Sequence, residues 1–259
     1  MTRAVAEVIL AEQLNDHILL ITINRPECRN AFDGATAEAM EAVIDRFEED
    51  DELRVAVVTG NGPTFSAGQD LKAAARGDFA QTAKRGAFGI LARPPAKPII
   101  AAVEGHALGG GLELCLACDL IVATEQTTMG LPEAARALVA LGGGLFRLPK
   151  RIPYHIAMEL SLTGKALSAS EFHRMGLVNR VCPPGQAVEV ALGLARDIAA
   201  CGPLAVRASK QIVWHSTDWT EESAWAQQMA IAGPVLTSED TQEGLRAFAE
   251  KRAPQWKGR

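Results

Sequence analysis

No lysine- or arginine-rich cluster occurs anywhere in this sequence, and its formal net charge is −5. That excludes an extended electrostatic surface for nucleic acid, while leaving room for a local basic spot that meets a phosphorylated ligand. No apolar run approaches the roughly 18 to 20 residues that a membrane span requires. Cysteines are few: five, an odd number that cannot all pair internally. With no apolar leader after Met1-Thr2-Arg3, a reducing cytoplasm is the expectation. Cys115 and Cys118 form a C-x-x-C, but neither a second such pair nor a spaced histidine pair accompanies them. Buried thiols are therefore expected, and no metal site. Aromatics make up only 5% of the chain, yet Trp214, Trp219, Trp225 and Trp256 all fall in its last quarter. An apolar content of 48% over 259 residues is enough to bury a large core.

The chain is organised around Glu104 to Asp119. The apolar run Pro98–Val103 reads as a buried strand, and the glycines Gly109, Gly110 and Gly111 then open an apolar helix. Glycines there expose the unpaired N–H groups of a helix start and let a ligand approach the backbone. Glu113, one turn in, is the only formal charge between Glu104 and Asp119. A carboxylate on so apolar a helix must be hydrogen-bonded, protonated or exposed in a cavity.

Around that stretch, Val5–Leu10 and His17–Asn24 alternate as a strand hairpin, and Thr36–Glu49 places Ala39, Met40, Val43, Ile44 and Phe47 on one helical face. Leu53–Thr59, Leu120–Thr124 and Thr127–Gly130 read as strands. Thr64–Lys72 reads as strand, turn and helix start. Ala73–Pro95 reads as helix with a mobile approach. Leu131-Pro132-Glu133 starts a turn or short helix, with proline suited to the first helical position. Residues 1–190 thus repeat strand, strand, helix, whereas 191–259 are nearly all helical, with helices over Ala187–Ala200, Pro203–His215, Thr220–Ala232 and Ser238–Lys251. The tryptophans of this last segment suggest a docking surface, for the core or for another subunit.

Two turns share one form: Phe65-Ser66-Ala67-Gly68-Gln69-Asp70 and Leu108-Gly109-Gly110-Gly111-Leu112-Glu113. Each leaves a strand, enters a helix and could present a free backbone N–H. Two such donors converging on one oxygen make an oxyanion hole. Glu133 is a second carboxylate among apolar neighbours. Two carboxylates beside such a hole suggest acid–base chemistry on carbons next to a carbonyl. Spacing alone does not show that they meet.

These segments resemble the signature of the crotonase (enoyl-CoA hydratase/isomerase) superfamily: Ile99–Gly105, Gly109–Leu114, Cys118-Asp119-Leu120 and Phe65–Lys72. Asn24-Arg25-Pro26, Leu131-Pro132-Glu133, Arg147-Leu148, Leu162-Thr163-Gly164 and Gly176-Leu177-Val178 follow in the family's order. Within the family the chain is most similar to the carnitinyl-CoA dehydratases. The resemblance implies an α/β fold: a ββα spiral core (1–190) and a helical C-terminal segment (191–259) that makes a homotrimer or a dimer of trimers. It implies that the amides of Gln69 and Gly110 bind a thioester oxygen. Glu113 and Glu133 would hold one water between them and add it to, or remove it from, the 2,3 double bond of an acyl-CoA.

Coenzyme A, as part of the substrate and not as a cofactor, would lie across Cys28, Arg29, Ala31, Ala67, Asp70 and Leu71. Lys72 would face the phosphates. Gly109, Pro132 and Leu141 would complete the acyl site, and Phe248 and Lys251 would reach in from a neighbouring subunit. The chain departs from the family's pattern in four ways. Ala137-Leu138-Val139-Ala140-Leu141 stands where Gly-x-x-Pro-Gly is common, and Leu141 stands where carnitinyl-type members tend to have aspartate. Glu27 stands where lysine is frequent, and Gln69 stands where carnitinyl-type members have tryptophan. An apolar, bulkier acyl wall follows, better suited to a plain 2-enoyl-CoA than to a trimethylammonium group. The rival readings are a double-bond isomerase and a non-catalytic acyl-CoA-binding trimer.

Overall fold

Short apolar strands with little alternation are suited to a sheet covered on both faces, and such a sheet forms the centre of the molecule. In the computed structural model, which describes residues 7–259, β1 (Ile9–Leu14) and β2 (Ile18–Ile23) make the expected antiparallel hairpin, with Ile9 opposite Ile23. The first strand starts later than its apolar pattern suggested, and the part of that pattern before residue 7 lies outside the described residues.

Helix α1 (Gly34–Glu49) is capped by Asp33, whose side chain accepts from the Thr36 amide, and buries Met40, Val43, Ile44 and Phe47. There follow β3 (Val55–Gly60), α2 (Leu71–Ala74), β4 (Gln81–Thr82), β5 (Gly86–Ala87), β6 (Ile99–Val103), β7 (His106–Leu108) and α3 (Gly110–Ala117). Next come β8 (Leu120–Thr124), β9 (Thr128–Gly130), α4 (Gly144–Arg147), α5 (Tyr154–Thr163), β10 (Ala166–Ser168), α6 (Ala169–Arg174) and β11 (Arg180–Cys182). The chain ends in α7 (Ala187–Ala199), α8 (Pro203–Ser216), α9 (Glu221–Leu236) and α10 (Glu239–Glu250).

The main sheet has the order β1-β2-β3-β6-β8-β11, parallel from β2 onward. A small second sheet has the order β10-β9-β7, and Ser66 extends it by a bridge to Ala107. Successive turns therefore give one strand to each sheet and then a helix, as β6, β7 and α3 do. One face of the main sheet packs on α1 and α3 through Phe47, Phe65, Leu112 and Leu116. The other face meets a row of alanines on α7, Ala187, Ala191, Ala195 and Ala199, small enough to let the helix lie close.

Several expectations need correction. Thr64–Ser66 is not a full strand: it contributes only the bridge at Ser66, because β7 is short. Ala73–Pro95 is not a long helix. Gly77, Gly86 and Gly89 all adopt positive φ, and a side chain at Gly89 would collide with the Ala37 carbonyl of α1. The segment is pinned instead by Arg85, buried against Asp45 at 2.7 Å and Glu48 at 3.2 Å. Leu131-Pro132-Glu133 does start a turn into a short helix, Ala134–Arg136, but Pro132 precedes the Glu133 cap and is not at the first helical position. Helix α7 runs across residues 190 and 191 and packs on the main sheet through its alanines, and α8 to α10 follow it.

Candidate active site

The organising stretch folds as its residues dictate. Gly109 adopts φ 55°, a conformation that favours glycine, and turns the chain from β7 into α3. A Cβ on Gly68 would lie 2.9 Å from the Gly110 nitrogen and 2.9 Å from the Leu108 carbonyl, so the two glycine turns abut. Phe32 donates to Gly68 O and Asp70 donates to Phe32 O, a pairing that leaves the Gln69 amide outside the bridge. The Gly110 amide is at the first helical position and likewise has no intrahelical acceptor. Two unshared N–H groups thus sit on adjoining turns.

Both turns line a hollow of about 740 Å³, which also holds Glu113 and Glu133. The spiral winding closes what sequence spacing left open: the two carboxylates face one cavity. Glu113 is 4% exposed. Its Oε1 accepts from the Gly144 amide at 2.9 Å, and a Cβ on Gly142 would stand 2.6 Å from its Oε2. Burial raises its pKa, while the Gly144 amide and the Arg147 charge pull the other way. Each hydrogen bond to an ionised carboxylate contributes about 1.5 to 3 kcal/mol. The Gly144 bond offsets part of the cost of burial.

Glu133 is held differently. Among the described residues its Oε2 is a buried oxygen with no hydrogen-bond partner, and its Oε1 lies 3.0 Å from where a Cβ on Gly109 would be. Burial raises its pKa and the Glu113 charge raises it further, against its own backbone amide and Arg136. Burial thus raises both pKa values, and the two carboxylates differ in their partners: an amide donates to Glu113, while Glu133 Oε2 has none. An acid–base pair needs that asymmetry.

Arg29, Ala67, Leu71, Gly109, Pro132 and Leu141 line the same hollow, whereas Cys28, Ala31, Asp70 and Lys72 stand off its wall. Asp70 caps α2, accepting from the Lys72 and Ala73 amides, and meets Arg25 at 3.4 Å. Phe248 and Lys251 are exposed at the end of α10, away from this cavity in their own chain. Leu138, Val139, Ala140 and Leu141 line one part of the same hollow.

Sequence reasoning missed Phe88, Leu91 and the 142–144 loop. Phe88 stacks on Phe32 with ring centroids 4.3 Å apart and stands over Gly110. The triplet Gly142-Gly143-Gly144 was the available signal, a second glycine run before a short helix. Cys115 and Cys118 are buried with thiol pKa values raised by burial. Among the described residues no group of His, Cys, Asp and Glu could hold a metal. His106 bonds Thr128 at 2.6 Å, and Asp119 joins the Ile99 amide to Lys210, both outside the site. A larger hollow, about 1000 Å³, lies between α4, α7 and α8 and contains neither glutamate.

The comparisons with known proteins agree with this geometry. The enoyl-CoA hydratase/isomerase family model matches residues 13–259. A carnitinyl-CoA dehydratase of Salmonella typhi is 44% identical over 95% of this chain and 97% of its own. The crystal structure of an enoyl-CoA hydratase from Mycobacterium marinum is 52% identical, covering 97% of this chain and 99% of that one, with a TM-score of 0.95. That of a carnitinyl-CoA hydratase from Mycobacterium avium is 41% identical, covers 98% and 100%, and has a TM-score of 0.79. With matches of this strength along almost its whole length, the chain belongs to the enoyl-CoA hydratase/isomerase family, as an enzyme of the hydratase type acting on acyl-CoA.

Proposed function

We propose that the substrate is a 2-enoyl-CoA with an apolar acyl group, and that Glu113 and Glu133 add water across its 2,3 double bond or remove it. The amides of Gln69 and Gly110 bind the thioester oxygen. Glu113 takes a proton from the water as its oxygen bonds to C3. The electron pair of the double bond moves toward the thioester oxygen, and Glu133 delivers a proton to C2. Losing one of two such amide donors typically raises a barrier by about 3 kcal/mol. Acid–base groups and amide dipoles suffice for every step, so no cofactor is called for; coenzyme A belongs to the substrate.

The observation that carries this reading is the shared cavity of two differently held carboxylates beside two unshared amides. Two carboxylates favour hydration over isomerisation, which needs one, and over a non-catalytic binder, which needs neither. The wall decides the acyl group. Leu138, Val139, Ala140 and Leu141 offer a trimethylammonium group no carboxylate, and they suit an aliphatic chain.

In the same reading Arg29, Ala67 and Leu71 line the coenzyme A path, with Cys28, Ala31, Asp70 and Lys72 behind and beside it. The helices after residue 202 carry a homotrimer or a pair of trimers, and the enzyme works in the cytoplasm. No helix among the described residues is long and apolar enough to cross a membrane.

A panel of crotonyl-, long-chain 2-enoyl-, 3-enoyl- and crotonobetainyl-CoA tests it. Loss of the enoyl thioester absorbance with the two plain 2-enoyl substrates is expected. Turnover of crotonobetainyl-CoA alone would overturn the apolar acyl assignment, and conversion of 3-enoyl-CoA without hydration would make the enzyme an isomerase.

A further inference from the structure

Behind Glu113 lies a buried cation that the chemistry above does not use. Arg147, at the end of α4, is 8% exposed, and among the described residues it makes no ion pair. Its guanidinium holds two main-chain carbonyls instead, Nη1 donating to Gly142 O at 3.2 Å and Nη2 to Leu91 O at 2.7 Å. Both anchor points border the cavity. Gly142 also packs against the Glu113 carboxylate, a Cβ there standing 2.6 Å from Oε2, and Gly144, whose amide donates to Oε1, opens the helix that Arg147 ends. Gly143, between them, has φ 103°, and a Cβ there would stand 2.6 Å from Arg147 Nη1. The loop is therefore shaped around this one side chain.

The far side of the guanidinium is covered by aromatic rings, Phe146 at 5.3 Å and Trp214 of α8 at 5.6 Å. Arg151 lies over the same Trp214 ring at 5.8 Å. Arg147 thus forms the partition between the active-site cavity and the larger hollow beside α8, which it also lines.

We propose that Arg147 is a positioning residue for the reaction: by gripping Gly142 O and Leu91 O it fixes the 142–144 loop and so aims the Gly144 amide at Glu113. This rests on the reading of Glu113 as the group that deprotonates water. The charged groups that bear on the pair are Glu133 and Arg136 across the cavity, and Arg151 and the Cys118 thiol behind. Glu133 opposes ionisation of Glu113. Arg151 opposes the charge on Arg147, but neither reaches the loop. A planar fork is needed to span two carbonyls, so lysine can supply the charge without the grip.

The test is the pH profile of kcat/KM for hydration of a 2-enoyl-CoA by the full-length wild type, Arg147→Gln and Arg147→Lys. Arg147→Gln should move the acidic limb to higher pH by about one unit and lower kcat about 10- to 100-fold by misplacing Glu113, with KM changed less than about twofold. Arg147→Lys should keep the acidic limb near that of the wild type yet still lose about tenfold in kcat. A folded Arg147→Gln enzyme with wild-type kcat and an unmoved limb overturns the proposal. Should that variant fail to fold, Arg147→Lys decides alone, and wild-type kcat in it overturns the proposal as well. Absence of hydration in the wild type is a different result, and sinks the hydratase reading itself.

Discussion

Glu113 and Glu133 are the same side chain in two environments, and the difference predicts how each responds to change. Replacing either with glutamine should lower turnover at least ~100-fold while acyl-CoA affinity stays nearly intact. Steady-state kinetics beside calorimetric binding of an acyl-CoA checks this, and near-normal turnover in either variant rejects the two-carboxylate mechanism. The pH sign follows from the same environments. For hydration Glu113 must be ionised and Glu133 protonated, so kcat/KM should rise with pH as the first loses its proton and fall as the second does. Burial raises both pKa values, so the bell should lie above the ordinary carboxylate range. The two limbs belong to the coupled pair. Stability follows the opposite logic. A raised pKa means the native state binds the Glu133 proton more tightly than the unfolded chain does. Stability is therefore lost as pH rises from the usual carboxylate value through the raised one. Glu133→Gln, which removes that charge, should raise the melting midpoint by a few degrees at neutral pH and by little below that window. An unchanged or lower midpoint at neutral pH would show that the unpartnered Oε2 costs the fold nothing.

At the scale of elements, what the sequence reveals tracks where the determinants lie. The strands Ile99–Val103 and Leu120–Thr124 and the glycine-opened helix were legible because apolar runs and glycine triplets are local signals. Segment 73–95 was not, since its shape is imposed by ion pairs to a distant helix: Arg85 reaches Asp45 and Glu48 of α1 across 40 and 37 residues. Composition alone made that stretch look helical. Likewise Arg147, Leu91 and Gly142 meet behind Glu113 through hydrogen bonds that no spacing announces. Ala137 shows a departure that the backbone exposes. It adopts φ 55° at a position where the family has glycine. An Ala137→Gly substitution should therefore leave the fold intact and relieve about 1 kcal/mol of left-handed strain, read as a small rise in denaturation midpoint. Arg85→Met should do the reverse. Removing the guanidinium leaves two partly exposed carboxylates, one still paired with Lys84, so a cost of about 1 to 3 kcal/mol is expected, and amide exchange over 81–92 should accelerate before exchange in the main sheet does. If the whole sheet exchanges at the same increased rate, the segment is not held by Arg85 as a separate unit.

At the scale of the molecule, the feature that needs a cause is the apolar surface of the last helices. α8 and α9 have no fully buried residue, and Val213, Trp225, Met229, Leu245 and Phe248 are more than half exposed. Burying a large apolar side chain contributes about 1.5 to 3 kcal/mol, so a handful of them can offset an association cost of about 4 to 15 kcal/mol. A closed ring buries the same patch on every subunit, which fits the proposed trimer. Sedimentation at micromolar concentration should give three copies or six, and a monomeric wild type would remove the assembly from the reading. Phe248, 86% exposed at the end of α10, separates two roles within that assembly. If it only seals the interface, Phe248→Ala should weaken association and leave the kinetics of the remaining trimer unchanged. If it reaches a neighbour's coenzyme A site, the trimeric variant should show KM raised several-fold with kcat unchanged, since the side chain would bind the carrier in ground and transition states alike. The proposed site calls for the second result, measured at protein concentrations where the variant is still assembled.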